Sequence, residues 1–485
     1  MAPRLSRATL GRVPDGSGPL VRPWDVRPGI VHLGVGAFHR AHQAVYTESA
    51  LAGGGDWGIV GVAPRRRAVV DGLAAQDGLF SVTSLDGNGS GTRVVGSIVG
   101  VRHLPSDPAG VIDLIADPAI RIVTLTVTEK GYLLDPATGR LMVDDGLRAE
   151  LTGAAPPWSI PGLLIAGLRA RAGRGAGPLA LVSCDNLPSN GRRLRQAVLD
   201  AYSAAGADAG WVEANVTFPG TMVDRVVPAT TAETIAAAAA ALNVRDEMAV
   251  AAEPYSEWVV EDEFPGGRPA WQAVGAVLTS DARPYERLKL RALNGVHSAL
   301  AYLGALAGCP TIADALALPG MRPMLERFIA DDIAPSLTPP PGRSVIEYGK
   351  AVLDRFANPA IGHRTLQVAM DGSQKMPQRI LHTAADRLAA NAEPRWAALV
   401  TAAWMCFVAG YADDGRELPL DDPLATRLRR AARSAAPIDA LLAIDAVFAP
   451  DLAADEGFGR LVARWFSELG KYGVADVLAG LKEEA

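Results

Sequence analysis

Lysine is close to absent from this chain of 485 residues: of its 47 basic residues six are Lys (Lys130, Lys289, Lys350, Lys375, Lys471 and Lys482) and the other 41 are Arg. Arginine serves as well as lysine on most solvated surfaces, but it does not give up a proton near neutral pH, so a position that needs a deprotonatable amine has to keep Lys. The six survivors are therefore worth examining one by one. Cysteine is scarcer still: Cys184, Cys309 and Cys406 are odd in number, far apart and without a C-x-x-C spacing. This excludes a disulfide framework and a zinc knuckle and fits a reducing cytoplasm. An excess of positive charge is missing too, with 53 acidic residues against 47 basic ones and a net charge of −6. That argues against nucleic acid or an anionic membrane as partner, and the single basic triplet Arg65-Arg66-Arg67 is too short to reverse it. The N-terminus lacks the apolar stretch of a signal peptide, and no uncharged apolar run of about 18 residues occurs. The expected location is the cytoplasm, with no protein partner implied.

What remains is ample material for a core: 49% of residues are hydrophobic and 21% charged, and the length suggests two or perhaps three domains. Residues 1 to about 28 read as an arm over the surface rather than a packed element. Apolar runs at 29–33, 58–63, 122–127 and 179–183 alternate with helical stretches such as 161–172. The pattern of buried β-branched runs and helices predicts a parallel sheet covered on both faces. From about Tyr285 the periodicity is helical throughout (285–307, 312–317, 321–332, 349–356 and 395–410), and the Pro-rich stretch 338–342 reads as a loop. The expected fold class is α/β: a Rossmann-type dinucleotide-binding domain over 1–284, then a mainly α-helical substrate and catalytic domain over 285–485.

The first strand runs into Gly34-Val35-Gly36 and then into a segment, 37–51, with helical spacing at Phe38, Ala41 and Val45. A glycine turn there lets backbone N–H groups approach a pyrophosphate. His39 stands where the usual fingerprint has its third glycine. The second strand ends in Ala63-Pro64-Arg65-Arg66 rather than in an acidic residue, so Arg65 is placed to meet a 2′-phosphate or to lie in a solvated loop. His32, His39 and His42 are close in sequence, with His39 and His42 at i, i+3 on one predicted helix. No H-E-x-x-H pattern accompanies them, and no metal is expected.

The segment Tyr285-Glu286-Arg287-Leu288-Lys289-Leu290-Arg291-Ala292-Leu293-Asn294-Gly295-Val296-His297-Ser298 carries the most information. On an α-helix with Lys289 at zero, Glu286 lies near about 60°, His297 near about 80° and Asn294 near about 140°. Four polar groups on one side of an otherwise apolar helix each need a partner, which a ligand-filled cleft supplies. Three more polar clusters end apolar runs: 128–132, 183–186 and 371–375. No G-x-S-x-G and no Walker A loop is present.

Together these residues resemble the mannitol dehydrogenase family of long-chain polyol dehydrogenases. The resemblance rests on seven ordered blocks: IVHLGVGAFHRAHQ (30–43), TVTEKGY (126–132), SCDN (183–186), FPGTMVDR (218–225), EPYSEWVVED (253–262), KLRALNGVHSALAYLG (289–304) and DGSQKMPQR (371–379). It implies a nicotinamide cofactor, NAD with NADP as the alternative, and no metal. It implies a catalytic lysine at Lys289, oxyanion-stabilising asparagines at Asn186 and Asn294, and a substrate-orienting histidine at His297; Glu286, one turn before Lys289, is placed to relay its proton to solvent. Cofactor contacts fall on Gly34, Gly36, Phe38, His39, Arg40, Arg65 and Asp224, and substrate contacts on Lys130, Gln367 and Lys375. Mannitol-oxidising members tend to carry Gly at the position of Lys130 and Arg at that of Gln367. Both states here resemble the branch that interconverts D-fructuronate and D-mannonate, and the added cation at Lys130 is then expected to pair with a sugar carboxylate, which neutral mannitol lacks. In the oxidation direction the Lys289 amine must be neutral, so its surroundings have to lower it from the free value of about 10.4. The alternatives are a neutral polyol dehydrogenase acting on D-mannitol or D-arabinitol, a non-catalytic dinucleotide sensor, and a metal-dependent sugar-acid dehydratase or isomerase.

Overall fold

The computed structural model describes residues 2–86, 91–135 and 138–481; Lys482 lies outside them. The chain divides into two compact units, Met1–Arg283 and Pro284–Ala485. The first is built on six strands: β1 (Pro28–Leu33), β2 (Gly58–Ala63), β3 (Ile98–His103), β4 (Ile122–Leu125), β5 (Leu179–Ser183) and β6 (Val216–Thr217). Their order is β3-β2-β1-β4-β5-β6 and every neighbouring pair is parallel. This is the dinucleotide-fold order, reversing direction between β1 and β4. Alternate residues feed two cores. Val31, Leu33, Val123, Leu125 and Leu181 join one cluster, whereas Ile30, Ile122, Ala180 and Val182 join another. Both faces are covered, which is why the strands read as continuous apolar runs. Two three-stranded sheets accompany it. Phe80–Ser84 lies between Gly91–Val95 and Val250–Ala252, and Glu257–Glu261 lies between Thr221–Asp224 and Val277–Thr279.

Two expectations need correction here. The N-terminal arm is anchored: Leu5 is fully buried with Leu79, Val94, Leu242 and Val244, and the Leu5 amide donates to the Arg245 carbonyl at 2.8 Å. The helix predicted over 37–51 is two helices, α1 (Ala37–Ala41) and α2 (Gln43–Leu51), broken at His42 (φ −126°, ψ −90°). His42 therefore does not share a helix with His39. Its ring is held elsewhere: Nε2 lies 3.0 Å from the Glu257 carbonyl oxygen, and the ring stacks on Phe38.

The second unit is helical, with no strand among its described residues beyond isolated bridges. At its centre the Val296–Leu306 helix is buried at every position, as expected of a helix apolar all round. It packs against helices Ile312–Leu316, Thr365–Ala369 and Arg395–Ala409. The segment leading into it differs from the α-helix predicted from periodicity. Arg283–Leu288 is α-helical, Lys289–Gly295 is a π-helix, and the α-helix resumes at Val296. A π turn bonds residue i to i+5. It brings Lys289 and Asn294 toward one face, where α geometry sets them about 140° apart.

A second π segment, Pro377–Leu381, packs on the first. Pro377 at its start has no N–H to give the preceding turn. The crossing point is Gly295, where a Cβ would sit 2.7 Å from the Arg379 carbonyl oxygen. Alanine is the better helix former by about 1 kcal/mol, so a solvent-exposed site would gain from Gly295→Ala. Here the backbone clash dominates. We expect the variant to lose about 1–3 kcal/mol in urea unfolding, and a neutral or stabilising result would show that the two segments separate freely.

Candidate active site

In the first unit, the strand order reverses between the carboxyl ends of β1 and β4, the place where such sheets receive a dinucleotide. Gly34 has φ +100°, and a Cβ there would lie 2.1 Å from the Thr126 carbonyl oxygen, so only glycine lets the turn close onto the next strand. Gly36 is exposed and a Cβ on it would meet nothing closer than the Gly34 oxygen at 3.7 Å. The turn is thus tight underneath and open above, a cradle that fits a pyrophosphate.

Below the turn lies a histidine stack. The His32 Nδ1 is 2.7 Å from Thr124 Oγ1 and its Nε2 is 2.8 Å from Thr126 Oγ1, which itself donates to the Gly34 oxygen at 2.8 Å. With the Thr126 proton spent on that carbonyl, His32 carries its hydrogen on Nε2 and accepts on Nδ1. His39 stacks on it with ring centroids 3.4 Å apart. Burial drives His32 down to about 3, and burial, with the neighbouring Arg40 charge behind it, holds His39 well below the usual histidine range. Both rings are neutral at working pH, and neither His39 nitrogen makes a well-formed hydrogen bond among the described residues.

The other predicted cofactor residues are placed as follows. Phe38 is half-buried on α1. Arg40 is buried, and its Nη1 donates to the Val35 carbonyl at 3.0 Å. Arg65 is exposed just past the end of β2. Asp224 is buried at the end of strand Thr221–Asp224, opposite Glu257.

Beyond β4 the chain makes a one-turn helix, Glu129–Tyr132, that presents Lys130 to solvent. The turn starts at Thr128 with φ +66° and ψ 162°. A β-branched residue in this glycine region costs about 1–3 kcal/mol, and such strain collects at functional sites. Asp185, just beyond β5, accepts from the Val127 amide (3.1 Å), the Thr128 amide (2.8 Å) and the Tyr132 hydroxyl (2.7 Å). Asn186 follows it and is exposed. Asp185 lies inside the S-C-D-N block, but its role as a bridge between two strand-end loops is not legible in spacing.

In the second unit, Lys289, Asn294 and His297 are all buried, and Glu286 is half-buried one turn earlier. The Asn294 Nδ2 and the His297 Nε2 have no hydrogen-bond partner among the described residues. The His297 ring stacks on Phe356 (4.6 Å) and tilts against His363 (4.8 Å). Burial comes first in holding His297 well below the ordinary range, followed by the charges of His363, Arg379, Lys375 and Arg355. Lys375 donates to the carbonyls of Val368 (3.3 Å) and Met370 (2.5 Å). Gln367 is exposed on the Thr365–Ala369 helix. His363 had no periodicity or spacing to mark it.

The histidine stack has a measurable consequence. His32 titrates near 6.5 when unfolded and near 3 when folded, so between these limits the unfolded chain binds the extra proton. Stability is full above about pH 6.5 and falls as the pH is lowered, by about 1.4 kcal/mol per pH unit from this group alone. In urea melts from pH 7 to pH 4, His32→Asn is expected to flatten the slope by about one proton; an unchanged slope would place the acid sensitivity elsewhere.

The comparisons agree with this architecture. Residues 28–273 match the mannitol dehydrogenase Rossmann domain and residues 281–469 the mannitol dehydrogenase C-terminal domain. The chain is 39% identical to the D-mannonate oxidoreductase of Escherichia coli K12 over 96% of its length and 99% of the relative's. It is also 39% identical to a mannitol 2-dehydrogenase of Cereibacter sphaeroides over 90% of its length and 94% of the relative's. The ternary complex of Pseudomonas fluorescens mannitol 2-dehydrogenase with NAD and D-mannitol is 34% identical with a TM-score of 0.87, covering 99% of this chain and 100% of that one. With both domains matched in order along nearly the whole chain, this protein belongs to the mannitol dehydrogenase family of secondary-alcohol oxidoreductases.

Proposed function

We propose that the chain is a nicotinamide-dependent sugar-acid oxidoreductase that interconverts D-fructuronate and D-mannonate, with Lys289 as general acid and base. The observation that carries this reading is the pair of buried polar atoms Asn294 Nδ2 and His297 Nε2, without partners among the described residues, on the helix that also bears Lys289. Leaving a buried polar atom unsatisfied costs about 1–3 kcal/mol, and substrate oxygens are the partners that relieve it. A nicotinamide cofactor, when bound, supplies or accepts the hydride; the glycine cradle at Gly34 and Gly36 fits its pyrophosphate. Lys289 gives the proton to the ketone oxygen in reduction and takes it from the alcohol in oxidation. Asn186 and Asn294 donate to that oxygen as negative charge develops, a role worth about 3 kcal/mol per donor. His297 orients a neighbouring hydroxyl, and Glu286 passes the proton toward solvent.

Whole-chain identity favours neither an acid nor a neutral polyol, being 39% to a relative of each kind. The preference for an acid is supported instead by particular residues. Lys130 is an exposed cation in the one-turn helix beyond β4, and the groups whose charge lowers His297 include Arg379, Lys375 and Arg355. The second reading, a dehydrogenase of D-mannitol or D-arabinitol, takes its support from the mannitol 2-dehydrogenase relatives. NAD is the cofactor we assign, by likeness to the P. fluorescens complex; Arg65, exposed just past the end of β2, is the cation that would meet a 2′-phosphate, so NADP is the second to assay.

Purified enzyme is expected to reduce NAD with D-mannonate far faster than with D-altronate, D-mannitol or D-arabinitol. Faster turnover of a neutral polyol would establish the second reading. Lys289→Ala is expected to lower kcat by about 10²–10⁴-fold with cofactor binding unchanged, and substantial residual turnover would remove Lys289 from the proton-transfer role. Lys130→Ala is expected to raise KM for D-mannonate by about tenfold while sparing any activity on D-mannitol; equal weakening of both would dissociate Lys130 from the carboxylate.

A further inference from the structure

The Thr128 turn has one hydrogen bond of its own, from the Gly131 amide to the Thr128 carbonyl at 2.9 Å. Its φ of +66° is one that a threonine avoids, and the first residues after it, Glu129 and Lys130, are exposed. What closes on it from below is Asp185. One carboxylate oxygen accepts from the Thr128 amide and the other from both the Val127 amide and the Tyr132 hydroxyl, so the two ends of the turn are tied to one group. Tyr132 is fully buried and its oxygen is also 2.6 Å from Ser183 Oγ, at the end of β5. Asp185 is itself anchored from behind: Asn190 Nδ2 donates to its carbonyl at 3.1 Å and to the Thr221 carbonyl at 3.0 Å. Three donors converge on it and none of the three needs a donor in return. A carboxylate answers that demand, and an asparagine, with an NH2 on one side, does not.

We propose that Asp185 is a positioning residue for substrate selection: it holds the Thr128 turn in a strained backbone conformation and thereby fixes where Lys130 meets the substrate carboxylate. The proposal rests on the reading that Lys130 binds that carboxylate. Without Asp185, the turn relaxes toward the extended conformation that threonine prefers, Lys130 moves with it, and acid substrates lose their advantage. Glycine at 128 removes the reason to relax, because the observed φ costs glycine nothing.

The test is a kinetic cycle on the full-length enzyme with D-mannonate and D-mannitol as probes. Asp185→Asn is expected to raise KM for D-mannonate by about tenfold with KM for NAD unchanged. Adding Thr128→Gly is expected to restore most of it. In a Lys130→Ala background, Asp185→Asn is expected to add little, because both changes remove one interaction. If Lys130→Ala raises that KM but Asp185→Asn does not, or if the two effects add in full, the positioning role is wrong while the substrate reading stands. If Lys130→Ala itself leaves the D-mannonate KM unchanged, the substrate reading fails and the proposal falls with it. Should Asp185→Asn not fold, Tyr132→Phe, which removes one of the three donors, is read in its place. A rise of about threefold is then expected, and an unchanged KM overturns the proposal.

Discussion

A helix buried on every side has no solvent face on which to keep polar groups, and this constraint governs the second unit. From Arg291 to Leu306 every position is buried, yet the stretch includes Arg291, Asn294, His297 and Ser298. Each must find a partner inside. Arg291 reaches the Ser336 carbonyl and hydroxyl and Asp386, and Ser298 accepts from Arg379. Asn294 Nδ2, His297 Nε2 and the Tyr302 hydroxyl have no hydrogen-bond partner among the described residues. Asn294 and His297 stand three residues apart on the helix that also carries the buried Lys289, and buried polar groups without partners call for an explanation. The π segment completes the arrangement by turning Lys289 and Asn294 toward a common side.

The first unit solves a different problem by the same economy. Its glycine turn is shaped from beneath by backbone and by neutral side chains: the Thr126 carbonyl against Gly34, and the His32 and His39 rings under it. Buried arginine is likewise used for structure. Arg171 donates to five backbone carbonyls around the end of its helix, those of Ile115, Asp117, Ala176, Gly177 and Pro178, and so holds together the loops entering β4 and β5. In a chain this rich in arginine, the guanidinium's fixed fork of donors serves as a backbone clamp.

Much of this was legible in the residues. The β1 strand, the glycine turn, the parallel sheet and the change to helices near 285 follow from period and composition. The motif blocks then named the family, which both domain matches bear out. What was not legible has physical causes. A π segment leaves no trace in an apolar pattern that is continuous on all sides, so Lys289 and Asn294 look far apart in angle when they are not. The break at His42 is set by a hydrogen bond to Glu257, 215 residues away. The strands of the two small sheets are three to five residues long, too short for alternation to show. Leu5 is buried by partners from three distant segments, and neither Asp185 nor His363 has a local pattern that marks its neighbours.

The distribution of exposure among these residues has a consequence for how such an enzyme diversifies. Lys289, Asn294 and His297 sit in a helix with no tolerant positions, so nearly any replacement there disturbs packing as well as chemistry. Arg65, Lys130, Asn186 and Gln367 are exposed, and changing an exposed side chain costs little stability. On the proposed roles, Lys289, Asn294 and His297 act from the core, while Asn186 and the residues proposed to set cofactor and substrate preference lie where substitution is cheap. Relatives equally similar overall can then differ in substrate through a few surface replacements, and a single-digit number of exposed positions is the natural library from which to alter this enzyme's selectivity.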